Sequence, residues 1–242
     1  MISSDHIASF SEIGGRAENQ DALGYKVFDE SNGVFVVCDG VGGGPSGKLA
    51  SIKICERIVQ FYTNLYSLKK SFLNNNPSEL FSSLAKETAS NVSIKGGATT
   101  MALCIIENNK AVLIHAGDSR IYLIRNDKIQ MVTKDHSMVQ SMVDTGIITA
   151  DEAHKHPMRN QILKAIVYGK ELPAFEISDP VELQSGDSIF MTTDGVHGHY
   201  RDEELLPFFH NGSGESEIAT AFKNQLIEFN GDNYSAIIIK YK

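Results

Sequence analysis

Thr99-Thr100-Met101-Ala102-Leu103-Cys104-Ile105-Ile106 runs into Glu107-Asn108-Asn109, and Lys110-Ala111-Val112-Leu113-Ile114-His115 follows. Gly117-Asp118-Ser119 separates that run from Arg120-Ile121-Tyr122-Leu123-Ile124-Arg125, and Arg125-Asn126-Asp127-Lys128 turns into Ile129–Val132. Short apolar runs divided by Asn, Asp and Gly are the pattern of strands joined by tight turns. The spacing predicts one antiparallel meander over 99–132.

The rest of the chain extends this pattern. Val34–Cys38 is a continuous apolar run, as in a strand covered on both faces. The turn chemistry of Asp29-Glu30-Ser31-Asn32-Gly33 predicts a hairpin of 23–28 with 34–38. Ser188–Thr192 and Ser235–Lys240 read as two more strands. Helical spacing covers Ser46–Tyr62, through Leu49, Ile52, Ile54, Ile58, Val59 and Phe61. Pro77-Ser78 opens a second helix after the polar loop Asn74-Asn75-Asn76. Glu203–Phe209 and Ser216–Phe229 form another pair, around the soft segment Asn211-Gly212-Ser213-Gly214. Helices that arrive in pairs between antiparallel strands do not suit a wheel of βαβ units. They predict an α/β sandwich (α-β-β-α), with two antiparallel sheets face to face and helices outside. Segment 137–170, broken by Gly146, His154, His156, Pro157 and Gly169, reads as a small helical insertion lying over something, or as an ordinary excursion between strands. No repeat or linker divides the chain, so 1–242 is read as one domain.

Composition excludes several classes. The 242 residues carry 22 basic and 30 acidic side chains, a formal charge of −8, which opposes general affinity for nucleic-acid phosphates. No apolar run approaches the roughly 18 residues of a membrane span, and the N-terminus lacks a signal-peptide pattern. Cys38, Cys55 and Cys104 lie far apart in apolar runs and form no CxxC, which fits a reducing compartment. The expectation is a cytoplasmic monomer that binds neither nucleic acid nor membrane.

One feature recurs. An apolar strand meets an aspartate at Cys38-Asp39-Gly40, Gly117-Asp118-Ser119, Thr193-Asp194-Gly195 and Gly231-Asp232-Asn233. Each alone is ordinary turn chemistry. Together, at strand ends of two facing sheets, they can converge, and converging carboxylates need a divalent metal to neutralise them. Oxygen-only ligands favour Mg²⁺ or Mn²⁺ over zinc. A competing motif, Gly42-Gly43-Gly44-Pro45-Ser46-Gly47-Lys48, matches the spacing of a P-loop. Leu49 stands where that loop needs Ser or Thr, Pro45 removes an amide, and the sheet reads as antiparallel. No cysteine phosphatase loop, GxSxG or HExxH occurs. His154 and His156 read as surface or hinge residues, and His115 as a packed core histidine.

Arg16-Ala17-Glu18-Asn19-Gln20-Asp21 precedes the first hairpin. With Asp39-Gly40-Val41-Gly42-Gly43 it begins a series: Gly97-Ala98-Thr99-Thr100, Gly117-Asp118-Ser119-Arg120, Thr133-Lys134-Asp135-His136-Ser137, Thr193-Asp194-Gly195 and Gly231-Asp232-Asn233. In this order they resemble the motifs of the metal-dependent Ser/Thr protein phosphatases of type 2C, the PPM family, in its compact bacterial form. The resemblance spans about residues 9 to 241.

The resemblance implies the same α-β-β-α sandwich. It implies that Asp39 bridges two Mn²⁺ or Mg²⁺ ions, that the Gly40 carbonyl binds one of them, and that Asp194 and Asp232 hold the other. Asp118, with Asp194, corresponds to a weaker third ion. Asp21 corresponds to an outer carboxylate that orients metal-bound water, and Arg16 to the residue that grips the substrate phosphate. Segment 137–170 corresponds to a flap. The implied reaction is hydrolysis of phosphoserine or phosphothreonine in proteins by a hydroxide bridging two ions, without a phosphoenzyme. The implied substrates are products of a Ser/Thr kinase. Val41 stands where some members have a histidine, so no general acid is assigned. Gly198 and His199 supply no acidic residue after Asp194, where relatives often have one. The alternative is a non-catalytic relative of the same fold that binds phosphoproteins. The retained Asp39, Asp194 and Asp232 argue against it.

Overall fold

The computed structural model describes residues 1–42, 45–73, 77–210, 213–227 and 231–242. Its strands are β1 (Ile7–Glu12), β2 (Asp21–Asp29), β3 (Asn32–Val41), β4 (Ala98–Thr99), β5 (Met101–Glu107), β6 (Lys110–Ala116), β7 (Arg120–Arg125), β8 (Lys128–Val132), β9 (Ile166–Val167), β10 (Glu176–Ile177), β11 (Val181–Glu182), β12 (Ser188–Thr192) and β13 (Tyr234–Lys240). The helices are α1 (Pro45–Ser67), α2 (Ser78–Ser90), α3 (Met138–Asp144), α4 (Ala150–Lys155), α5 (Asp194–His197), α6 (Asp202–Leu205) and α7 (Glu215–Leu226).

Two antiparallel sheets result. The smaller has the order β1-β13-β12-β7-β8. The larger is built on β6-β5-β3-β2, with β4 and β9 continuing beside the end of β3 and the short β10 and β11 on the edge of β6. Strand β3 shows why its run is apolar throughout. Val34, Val36 and Cys38 face α1 and α2, while Phe35 and Val37 face the other sheet. Side chains alternate across a strand, so a strand with helices on one side and a sheet on the other needs apolar residues at every position. β5 divides in the same way, with Leu103 and Ile105 outward and Ala102, Cys104 and Ile106 inward. On the far side, Tyr122, Phe190 and Ile238 of the smaller sheet pack on Phe222 and Ile218 of α7. The expected α-β-β-α layering is therefore present.

One expectation fails. Residues 99–132 do not form a single meander. β5 and β6 belong to the larger sheet and β7 and β8 to the smaller, and the chain crosses between sheets at Gly117-Asp118-Ser119. Tight spacing between strands is the same in a hairpin and in a crossing, so pattern alone does not separate them. The crossing needs its glycine: φ at Gly117 is +109°, and a Cβ there would lie 2.6 Å from Thr100 Cγ2.

Smaller differences are local. The helix expected over 203–209 is α6 followed by a 3₁₀ turn at Leu206–Phe209, where Pro207 takes an early position. The helix expected over 216–229 is α7, and residues 228 and 229 lie outside the described residues. The same holds for 43–44 of the glycine run, for 74–76 and for 211–212. Segment 137–170 carries α3 and α4 and returns to the larger sheet where β9 pairs with β4. Cys38, Cys55 and Cys104 are free and buried. No helix among the described residues is long and apolar enough to cross a membrane.

Candidate metal and phosphate site

The antiparallel pairing of β2 with β3 sets Asp21 opposite Asp39. Asp118 stands in the sheet-to-sheet crossing, Asp194 opens α5 directly after β12, and Asp232 precedes β13. All five come to one end of the sandwich. Asp118, Asp194, Asp232 and Arg16 line one cavity of about 710 Å³. Segment 137–170 forms one wall of it, through Val139, Val143, Ala150 and His154.

Electrostatics register the crowding. Burial, and then the charges of Asp194, Asp21, Asp118 and Asp232, hold the Asp39 carboxyl well above its ordinary range. Burial raises Asp118 in the same way, with Asp194 and Asp135 adding to it. Asp194 is pushed up to about 6 by burial and by Asp232. Asp21 rises to about 7, chiefly through burial, against the opposing pull of Ser235 and Thr193. Thr193 Oγ1 donates to Asp21 Oδ2 at 2.9 Å. Carboxylates massed this closely are held apart from their ordinary charge unless a cation joins them. Asp118 Oδ1 is also buried without a hydrogen-bond partner. An orphaned buried oxygen beside other carboxylates fits a hard divalent ion with oxygen ligands.

Gly40 follows Asp39 at the end of β3. A Cβ on it would lie 2.6 Å from the Gly47 backbone and 2.8 Å from the Gln20 carbonyl. The glycine thus lets α1 start against the strand end. Thr100 ties two motifs together here. The Asp39 N–H donates to Thr100 Oγ1 at 2.9 Å, and that hydroxyl meets Ser119 Oγ at 2.7 Å.

Arg16 comes from the loop between β1 and β2. Its Nη2 donates to Asp232 Oδ2 at 2.7 Å. Asn233 holds that loop in place. Its Nδ2 donates to the carbonyls of Ile13 and Glu18 at 2.7 and 3.0 Å, and its Oδ1 accepts from the Gln20 amide at 2.9 Å. These tertiary contacts make Asn233 the anchor of the Arg16 loop.

Arg120 and Asp135, which both line the cavity, form a fork of two bonds at 2.7 and 2.8 Å. Arg120 closes the Gly117–Arg120 motif and Asp135 lies within Thr133–Ser137, and residue type alone gives neither a role. His115, His136 and Glu176 bring possible ligand atoms within 4.8 Å of one another. The rings stack at 4.7 Å. The Gly117 amide donates to His136 Nδ1, which leaves the ring proton on Nε2, facing Glu176 Oε1 at 2.9 Å. His115 Nε2 meets the Lys134 carbonyl at 2.8 Å and so carries its proton too. Nitrogens that carry protons donate rather than ligate. The trio is a hydrogen-bonded clamp, and His115 is the packed histidine that the sequence indicated. Among the described residues β3 has antiparallel neighbours throughout, which removes the P-loop context.

The arrangement can gather divalent cations and place one guanidinium beside them. Comparison with known proteins leads the same way. The family model described as "Protein phosphatase 2C" matches residues 11–229. The serine/threonine phosphatase stp of Listeria innocua is 27% identical over 233 residues, covering 93% of this chain and 91% of that protein. The solved serine/threonine phosphatase Stp1 of Staphylococcus aureus superposes with a TM-score of 0.82 at 23% identity, covering 100% of this chain and 97% of that one. The solved catalytic domain of PstP, in complex with two manganese ions, superposes with a TM-score of 0.76 at 24% identity, covering 97% and 96%. The chain belongs to the protein phosphatase 2C family.

Proposed function

We propose that the chain is a metal-dependent protein-serine/threonine phosphatase whose centre is the strand-end carboxylate cluster. The observation that carries the reading is the meeting of Asp118, Asp194, Asp232 and Arg16 at one cavity, with Asp39 near enough to feel the charges of the three carboxylates, and with every cysteine buried away as a free thiol. Asp39 and the Gly40 carbonyl, with Asp194 and Asp232, would hold two Mn²⁺ or Mg²⁺ ions. Asp118 with Asp194 would hold a third, outer ion. When bound, such ions supply Lewis acidity and bring water toward ionisation near neutral pH.

The chain's own residues do the rest. Arg16 receives two equatorial phosphate oxygens as a planar fork and balances their charge. Asn233 keeps its loop pre-placed, so ordering that loop is not left to the substrate. Asp21, held by Thr193, would be the outer carboxylate that orients water at the site. The 137–170 segment walls the cavity as a flap. A phosphorylated side chain carries about −1.5 to −2 charge, so a cation-loaded site draws it to a protein of net charge −8. The substrates are phosphoproteins made by a Ser/Thr kinase. The free, buried cysteines favour a cytoplasmic location, and the single-domain chain is read as a monomer.

Release of phosphate from p-nitrophenyl phosphate and from a phosphothreonine peptide tests this. Activity should vanish in EDTA and return with Mn²⁺ or Mg²⁺. Full activity in EDTA would remove the reading.

A further inference from the structure

The crossing that carries Asp118 is held by histidines from two different elements. His136, just ahead of α3, takes both ends of Gly117. Its Nδ1 accepts the Gly117 N–H at 3.2 Å, and its own amide donates to the Gly117 carbonyl at 2.9 Å. His197, the last residue of α5, meets the next peptide, with Nε2 at 2.9 Å from the Asp118 carbonyl. A carbonyl only accepts, so Nε2 carries the proton and donates.

The Asp118 carboxylate itself has a buried Oδ1 without a partner. Its direction is therefore set largely by the backbone it hangs from. That backbone turns at a glycine with φ +109°, the residue type with the most freedom to move. A carboxylate on such a turn keeps one aim only if the turn is pinned. His197 is also three residues from Asp194 on the same short helix. One element thus carries a carboxylate of the outer site and the hold on the other. His197 is buried, so water does not compete for this hydrogen bond.

We propose that His197 is a positioning residue for the outer metal site, holding the Asp118 carbonyl so that the Asp118 carboxylate faces Asp194. The proposal rests on the reading of Asp118 as an outer-ion ligand. Hydrogen-bond partners that orient metal ligands are commonly worth roughly 10–100-fold in metal affinity.

Calorimetric titration with Mn²⁺ tests it on the wild type, His197→Phe, His197→Gln and Asp118→Ala, with thermal melts in EDTA and kinetics on a phosphothreonine peptide. His197→Phe keeps a ring and removes the donor. It should weaken the outer ion by roughly 10–100-fold, leave the core pair bound, and lower kcat more than it alters KM. His197→Gln, which keeps an N–H donor, should recover much of the outer affinity. Wild-type outer affinity in His197→Phe, beside its loss in Asp118→Ala, would overturn the proposal and leave the outer site standing. Loss of the core pair together with the outer ion in His197→Phe would overturn it as well, since the residue would then be a general support. Unchanged binding in Asp118→Ala would remove the outer site and the proposal with it. Should His197→Phe not fold, His197→Gln decides: near-wild-type outer affinity supports the donor role, and a loss as complete as in Asp118→Ala overturns it.

Discussion

Arg16 Nη2 lies 2.7 Å from Asp232 Oδ2, so the proposed phosphate clamp is held against a proposed metal ligand. The two residues are 216 positions apart. The hydrogen bond to Asp232 comes first among the causes that raise the Arg16 pKa, so its positive charge is secure. The adjoining Asn233 fixes the Arg16 loop, so Asp232-Asn233 sets both the carboxylate and the cation beside it. If Asp232 held an ion as proposed, a phosphate bound there would meet a guanidinium whose loop Asn233 already holds in place.

Arg16→Ala should raise KM and lower kcat, because charge grows on the equatorial oxygens during transfer. Loss of one charge-assisted contact of this kind costs roughly 2–4 kcal/mol of transition-state stabilisation. Arg16→Lys should recover little, since a point charge does not replace the fork. Steady-state kinetics on a phosphothreonine peptide decide. Wild-type constants in Arg16→Ala would make it an ordinary loop residue.

Metal-free protein should lose stability as pH rises. Asp194 and Asp21 titrate at about 6 and about 7 in the folded state, against 3.8 for a free aspartate. Between about 4 and about 7 the folded state therefore holds more protons than the unfolded one. Stability from these groups is full below about 4 and is lost as pH passes through 6 and 7. Melting temperature in EDTA should fall from pH 5 to pH 8, and Mn²⁺ should flatten that fall. A flat or rising curve in EDTA would contradict the crowding of the carboxylates.

Asp39→Ala should abolish activity and sharply weaken binding of both core ions. It should not unfold the metal-free protein, because removing one crowded carboxylate relieves the repulsion felt by Asp194, Asp21, Asp118 and Asp232. Mn²⁺ calorimetry beside a thermal melt measures both effects. Core ions retained at wild-type affinity would show that Asp39 does not bridge them.

Changing Cys38, Cys55 and Cys104 to Ser, one at a time, should leave turnover within a few-fold. All three are buried, and burial pushes the Cys104 thiol up to about 12 and raises Cys38 too. Such thiols behave as small apolar groups, and their loss is felt in the melt. A folded, metal-binding variant without turnover would instead point to thiol chemistry.

Much of the architecture could be read in one dimension because it rests on local periodicity. Val34–Cys38 had to be covered on both faces, and the Ser46–Tyr62 stripe had to be a helix with one face buried. The strand-end positions of Asp39, Asp118, Asp194 and Asp232 follow from the same reading, since each borders an apolar run. The division of 99–132 did not follow. Gly117-Asp118-Ser119 has the composition of a hairpin turn, and only the pairing of β6 with β5 in one sheet and of β7 with β12 in the other makes it a crossing between sheets.

The layers, the turn positions and the kinds of chemical group available can be read from the residues alone, because these depend on residue type and on spacing along the chain. Which of these groups meet depends on the fold. Arg16 reaches Asp232, Thr193 reaches Asp21, and His197 reaches the Asp118 carbonyl, across separations of up to 216 residues. Those meetings come from β2 pairing with β3, from β12 lying beside β13, and from the stacking of the two sheets. Hydrogen bonds and Coulomb forces act through a few ångströms of space, and distance along the chain does not enter them.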